Sequence, residues 1–161
     1  MVNLNNITWG GSGIEKIVFD YICEILPEGK TILEFGSGYI STGAFSTRYN
    51  VISIDEDKKY QNIYPNVTYI HAPIKNNWFD THEIQSKLTN NYDLIFIDAP
   101  SGTGNRHGFV NNLSLFNLSV PIVVHDTYRK SEIELCYELE LALKRKCEFI
   151  SKGGDFWGVI K

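Results

Sequence analysis

The chain has little of what several function classes require. It holds three cysteines in 161 residues. Cys23, Cys136 and Cys147 are far apart, form no C-x-x-C pair and have no histidine at ligand spacing, which argues against a structural zinc site. An odd cysteine count fits a reducing compartment. No stretch approaches the ~20 apolar residues of a membrane span. The opening MVNLNNITWGG lacks the basic start and apolar run of a signal peptide. These absences point to a cytoplasmic protein with no membrane partner, in which the N-x-S/T triplets at Asn6, Asn66, Asn112 and Asn117 are chance products of composition. Basic charge is also short: 15 Lys and Arg stand against 19 Asp and Glu, for a net charge of −4. The basic residues are dispersed, so the broad electropositive face of a nucleic-acid binder is unsupported. No internal repeat or low-complexity tract interrupts the chain.

What is present is an alternation of apolar runs and helical patterns. The chain is 43% hydrophobic and long enough for one core, so residues 1–161 read as a single domain. Residues 1–11 read as an arm. Ser12 and Glu15 have capping-box spacing, and Ile14, Ile17, Val18, Tyr21, Ile22, Ile25 and Leu26 then recur at helical intervals. Strands are predicted at Thr31–Phe35, Asn50–Asp55, Val67–His71, Asp93–Ile97 and Val120–Val124, with short helices at Thr42–Arg48, Thr81–Thr89 and Phe109–Phe116. Asp57–Asn66 reads as a weak helix or loop, and Pro73–Asp80 as irregular. Ser131–Lys146 is the longest predicted helix, its apolar face drawn from Ile133, Leu135, Cys136, Leu139, Leu141, Ala142 and Leu143. Cys147–Ile150 and Phe156–Ile160 are strands whose tight Gly153-Gly154 connection makes them antiparallel. The order predicts an α/β fold, a three-layer Rossmann-like sandwich around a mostly parallel seven-stranded sheet with an antiparallel C-terminal hairpin strand.

Ligands of such sheets bind at the carboxyl ends of the strands. Every predicted parallel strand ends in a polar group. TILEF carries Glu34 and breaks into Gly36-Ser37-Gly38, where backbone can approach a ligand with no Cβ in the way. The second strand ends in Asp55 and Glu56, spaced to accept hydrogen bonds from ribose hydroxyls. His71, Asp98, and His125 with Asp126 complete the edge.

LEFGSG has the E/D-x-G-x-G form of class I S-adenosylmethionine-dependent methyltransferases, which the chain resembles along nearly its whole length; Asp55-Glu56 and the terminal hairpin also match that family. A narrower likeness lies in IDAPSGTGNRHGF and IVVHDTYRKSE, similar to the D-A-P-x-G and V-H-D-x-x-R-x-x-E patterns of the polysaccharide-biosynthesis domain of plant glucuronoxylan O-methyltransferases. ISIDEDKKY is similar to that domain's acidic segment, whereas EFGSG departs from its glycine pattern and the chain is shorter. The resemblance implies S-adenosylmethionine as cofactor, with Gly36, Ser37 and Gly38 on its methionine part. Glu34 would order the turn or bind through water, Asp55 or Glu56 would hold the ribose, and His71 lies where this fold contacts adenine.

Transfer to a hydroxyl requires placement and removal of a proton. Asp98 lies next to the implied transfer position, as general base or metal ligand. His125 is a second candidate base, and Asp98 with His125 and Asp126 offers a divalent metal oxygen and imidazole ligands. Arg106, His107 and Arg129 suit a carboxylate such as that of a uronic acid. Trp78 with Phe79, and Trp157, are candidates for stacking on a sugar or for core packing, and Trp9 for an anchor or a lid. The expected acceptor is a small molecule or glycan. Two other readings stand beside this one. A nicotinamide-dependent oxidoreductase lacks support, since Ser41 stands where the dinucleotide fingerprint wants Gly or Ala and no Tyr-x-x-x-Lys is present. A methyltransferase-like module that binds nucleotide without catalysis fits the small size.

Overall fold

Strand β1 (Thr31–Phe35) lies at the centre of a seven-stranded sheet of order β3-β2-β1-β6-β7-β9-β8 in the computed structural model, which describes residues 4, 7–11, 13–101 and 104–161. Its partners are β2 (Asn50–Asp55), β3 (Val67–His71), β6 (Leu94–Ile97), β7 (Ile122–His125), β8 (Cys147–Lys152) and β9 (Asp155–Ile160). Each of β2, β3, β6 and β7 runs parallel to its neighbour, and β9 inserts antiparallel between β7 and β8. The chain builds outward through β2 and β3, then returns to β6 on the other side of β1. That return makes the carboxyl ends of β1 and β6 the switch point, where the crevice of such a sheet opens.

Strands β1, β2, β6 and β7 are buried on both faces because both are covered. Leu33, Phe35, Ile95, Ile97 and Val124 face one core with α3 (Thr81–Lys87), α4 (Gly108–Asn111) and α5 (Lys130–Leu143). Ile32, Val51, Phe96, Val123 and Trp157 face the other, with α1 (Lys16–Ile25) and α2 (Ser41–Phe45). This alternation fixes register, since a one-residue slip would exchange the two cores.

Several local expectations are corrected. Pro73–Asp80 contains a small antiparallel hairpin, β4 (Ile74–Lys75) with β5 (Trp78–Phe79), turned by Asn76 and Asn77 at positive φ. Trp78 is 3% and Trp157 1% exposed, so both are core and neither is available for stacking on a ligand. Trp9 packs on Phe19 at 5.5 Å between ring centres, an anchor for its segment. Helix α5 stops at Leu143 because Lys144 turns left-handed, and Leu141 is 77% exposed, with Ala142 also on the outer face. The predicted Ser12 cap lies outside the described residues, and Glu15 occupies the cap of α1 without a side-chain bond. No helix among the described residues is long and apolar enough to cross a membrane.

Candidate functional site

Glu34 is fully buried under the glycine turn, on the α2 side of the sheet. Thr42 and Ser53 each donate a hydroxyl hydrogen bond of 2.6 Å to its Oε2. Thr42 in turn accepts from the Gly38 N–H at 2.8 Å, and the Ser37 hydroxyl contacts that of Ser53 at 2.7 Å. The buried carboxyl is therefore the root of a hydroxyl relay that sets the loop. Loss of solvent drives it up to about 7, against the pull of the hydroxyls of Ser53 and Thr42. Gly36, at φ +105°, brings β1 so close to the end of β6 that a Cβ would lie 2.9 Å from that of Ala99. Gly38 differs: a Cβ there would meet nothing nearer than Ser41 Oγ at 3.7 Å.

Asp55 completes the loop from the next strand. Its two oxygens accept from the backbone N–H of Ser37 at 2.8 Å and of Asp57 at 2.7 Å. Burial outweighs those bonds and raises this carboxyl to about 6. With both oxygens committed, Asp55 holds backbone, and the free acid is Glu56, whose Oε2 is buried with no partner among the described residues. Gly36, Ser37, Gly38, Asp55, Glu56 and Asp98 line one cleft of about 420 Å³, with Tyr39, 63% exposed, and Tyr60 at its mouth. His71 is not among the lining residues; its Nε2 lies 3.1 Å from the Glu56 carbonyl, on the far side of that residue's backbone.

The β6–β7 side is built from charges. Arg106, with a side chain 5% exposed, donates from Nη2 to Asp98 O (2.6 Å), Asp98 Oδ1 (3.0 Å) and Asp126 Oδ2 (3.2 Å), and from Nη1 to the His125 carbonyl (3.1 Å). Its Nε lies 3.7 Å from Glu132 Oε1. His125 spans two carboxylates, Nδ1 facing Asp98 Oδ1 at 3.1 Å and Nε2 facing both oxygens of Asp155 at 3.0 Å. Burial pulls this imidazole down, but Asp155, Asp98 and Asp126 together raise it to about 10. That shift favours the imidazolium, and with each nitrogen facing a carboxylate the ring is engaged on both sides.

The predicted carboxylate-binding trio lines one cleft, with its charges partly engaged already. Arg106 is a largely buried ion-pair centre whose guanidinium is held by Asp98 and Asp126. His107 is tied to α5, with Nδ1 2.7 Å from Glu138 and Nε2 3.0 Å from the Ser131 carbonyl. Arg129 keeps an exposed guanidinium, 45% accessible, while pairing with Asp126 at 3.1 Å. It lines a second cleft of about 330 Å³ with Arg106, His107, Glu132 and Ser131, and Ser101 lines both this cleft and the first.

The fit of a divalent cation can be tested directly. Asp98, His125 and Asp126 offer ligand atoms within 4.8 Å of one another. Arg106 already places its charge on both carboxylates, and each nitrogen of His125 faces a carboxylate, so the arrangement does not fit a metal. S-adenosylmethionine does fit the first cleft, where Glu56 presents an orphaned acceptor beside a loop free of Cβ atoms at Gly36 and Gly38.

Sequence reasoning missed Thr42, Ser53, Glu132 and Asp155. Ser53 had a signal, as a polar residue in the apolar strand VISID on the same face as Glu34. Asp155 read as a turn residue after Gly153-Gly154.

Neither a protein-family model nor any curated protein matches the chain in sequence. Solved structures do match in fold. A precorrin 8w decarboxylase from Methanobacterium thermoautotrophicum superposes with a TM-score of 0.63 at 14% identity, covering 99% of this chain and 98% of that one. Aeropyrum pernix fibrillarin, crystallised with natively bound S-adenosyl-L-methionine, gives 0.62 at 9% identity over 91% of this chain and 74% of its own. The C-terminal domain of precorrin-6Y C5,15-methyltransferase from Rhodobacter capsulatus gives 0.60 at 10% identity, over 97% and 93%. The fold is thus the one shared by class I S-adenosylmethionine-dependent methyltransferases; none of these three is a polysaccharide-modifying protein.

Proposed function

We propose that the chain is one catalytic domain, cytoplasmic, that binds S-adenosylmethionine in the Gly36–Glu56 cleft and transfers its methyl group to a hydroxyl of a small polar acceptor, sugars and uronic acids first among them. The observation that carries the cofactor is the buried, unpartnered Oε2 of Glu56 in a cleft at the switch point of this fold. A ligand that donates two hydroxyl hydrogen bonds, as a ribose does, satisfies that carboxylate. The cofactor would supply a methyl group on a sulfonium. The chain's own residues do the rest: the Glu34–Thr42–Gly38 relay holds the loop, Asp55 holds its base, and Asp98 faces the cleft from β6. Of the Asp98 oxygens, Oδ1 is held by Arg106 and His125, which leaves Oδ2 to take the acceptor's proton. The exposed guanidinium of Arg129 in the adjoining cleft favours an acceptor that carries a carboxylate.

Calorimetry with S-adenosylmethionine, its demethylated product and NAD separates the readings. Saturable heats are expected for the first two and weaken about tenfold or more in Glu56→Ala, as for a lost hydrogen bond to a charged group. Heat from NAD alone would sink the proposal. A methyl-transfer screen with labelled cofactor across uronic acids, glycans and small phenols then finds the acceptor, and Asp98→Asn should abolish transfer while leaving cofactor affinity within about twofold. Cofactor binding with no transfer to any acceptor would favour the non-catalytic reading.

A further inference from the structure

Two of the three cysteines meet on the α5 face of the sheet, at a place that a glycine opens. Cys136 lies on α5 and is fully buried, and Cys147 is the half-buried first residue of β8. Beside both lies Gly158 of β9, where an added Cβ would stand 2.6 Å from Cys136 Sγ and 3.0 Å from Cys147 Sγ. Any side chain at Gly158 would displace both sulfurs, so the missing Cβ is space that the two thiols share. The pair is also polarised. Cys136 donates its S–H to Cys147, which raises the Cys136 thiol, as burial does. The same bond, with a backbone N–H from Val159, holds the Cys147 thiol below its ordinary value although burial opposes it. The more reachable sulfur is therefore the more nucleophilic one. The third thiol, Cys23 on α1, packs against the opposite core, with the sheet between it and this pair. Neither Cys136 nor Cys147 lines the cofactor cleft or the cleft beside it, so the pair stands apart from the function proposed above.

We propose that Cys136 and Cys147 are a redox pair, oxidised by a hydroperoxide to a disulfide that staples α5 to β8 and reopened by a dithiol reductant. The Cys147 thiolate attacks the peroxide oxygen: an S–O bond forms, the O–O bond breaks, and the departing hydroxide takes a proton to become water. The sulfur is oxidised by two electrons to a sulfenic acid and the peroxide is reduced. Cys136 then gives up its proton and attacks that sulfur, forming the S–S bond as the S–O bond breaks and a second water leaves. Helix α5 also contributes Ser131 and Glu132 to the second cleft, so the staple anchors a helix that lines it.

The test uses the full wild-type chain without cofactor, treated with excess hydrogen peroxide and then with dithiothreitol. Peroxide should remove two of the three free thiols, lower the intact mass by two hydrogens and give a peptide joining Cys136 to Cys147, with Cys23 in no disulfide. Dithiothreitol should restore both thiols. In Cys136→Ser the sulfenic acid on Cys147 should persist and be captured by dimedone. In Cys147→Ser the remaining Cys136 should react with peroxide about tenfold more slowly than Cys147 does in Cys136→Ser, or slower still. Should either variant fail to fold, the wild-type thiol count and linkage decide alone. Three thiols surviving peroxide, added oxygen on Cys147 with no disulfide, a link that includes Cys23 or a link between two chains would each overturn the proposal.

Discussion

Glu34 and Asp98 stand at the carboxyl ends of neighbouring strands, β1 and β6, yet they are kept in different ways. Glu34 has no cation near it and rests on hydroxyls, with Asp55 beside it resting on backbone N–H groups. Asp98 shares Arg106 with Asp126 and His125 with Asp155. Neutral donors stabilise a buried carboxylate only in part, so the first pair titrates near neutrality, at about 7 and about 6. In the second cluster the paired charges of His125 and Asp155 act on each other, raising the imidazole to about 10 and lowering the carboxyl. The half read as holding cofactor is responsive to protons, and the half read as meeting the acceptor is fixed by ion pairs.

The strongest test of the fixed half is Asp155→Ala, which leaves a buried imidazolium with one carboxylate fewer and frees the Glu15 N–H that Asp155 also accepts. Breaking one side of such a pair costs about 3–5 kcal/mol, read in urea unfolding at neutral pH. Because His125 is raised from 6.5 to about 10, its contribution is complete below its unfolded value and is lost as pH rises toward its folded one. Asp155→Ala should remove that alkaline loss. An unchanged alkaline limb would break the comparison.

The responsive half runs the other way in pH. Glu34 and Asp55 are raised above unfolded values of 4.5 and 3.8, so the folded chain holds more protons than the unfolded one through that window. Stability from this half is therefore highest in mild acid and falls as pH rises toward about 7. Glu34→Gln removes the larger contributor and should shrink the stability difference between about pH 5 and about pH 8 by about 2 kcal/mol. The same slope in the variant and the wild type would assign the titration elsewhere.

The smallest effects separate two glycines. Gly36→Ala places a methyl against Ala99 at a φ of +105° and should cost about 1–3 kcal/mol of stability. Gly38→Ala meets nothing nearer than Ser41 Oγ at 3.7 Å, so its melting temperature should stay near wild type while affinity for S-adenosylmethionine falls about tenfold. Equal losses of stability in both would show that the loop is rigid for packing alone.

The legibility of these two halves in the sequence also differs. All seven strands of the sheet were readable, because fully buried parallel strands are continuous apolar runs and the terminal hairpin carries its own turn. Glu34, Gly36, Gly38, Asp55 and Glu56 were readable as a group, since their spacing is local and one strand-turn-helix-strand unit holds them. Which acid is free was not, because that depends on two backbone N–H groups folding back onto Asp55. The charged cluster was only half readable. Asp98, His125 and Asp126 advertise themselves at strand ends, but their partners arrive from a loop, from α5 and from β9, separations that no spacing rule covers. Arg106 read as a residue for a ligand's carboxylate, because nothing local in its glycine-rich loop says that Asp98 and Asp126 already hold its guanidinium. The β4–β5 hairpin escaped notice because it is turned by two asparagines rather than an Asn-Gly pair.

The insertion of β9 between β7 and β8 carries a consequence for how the two halves are built. The cofactor cleft draws on residues 13–101, so one continuous segment supplies its lining. The charged cluster depends on Asp155, the first residue of β9, which lies between β7 and β8. Without that strand, His125 keeps Asp98 at Nδ1 but lacks its partner at Nε2, and β7 presents an open edge. The glycine turn is thus complete within the segment up to β6, whereas the seal on the β7 edge and the second clamp on His125 come from the same distant strand.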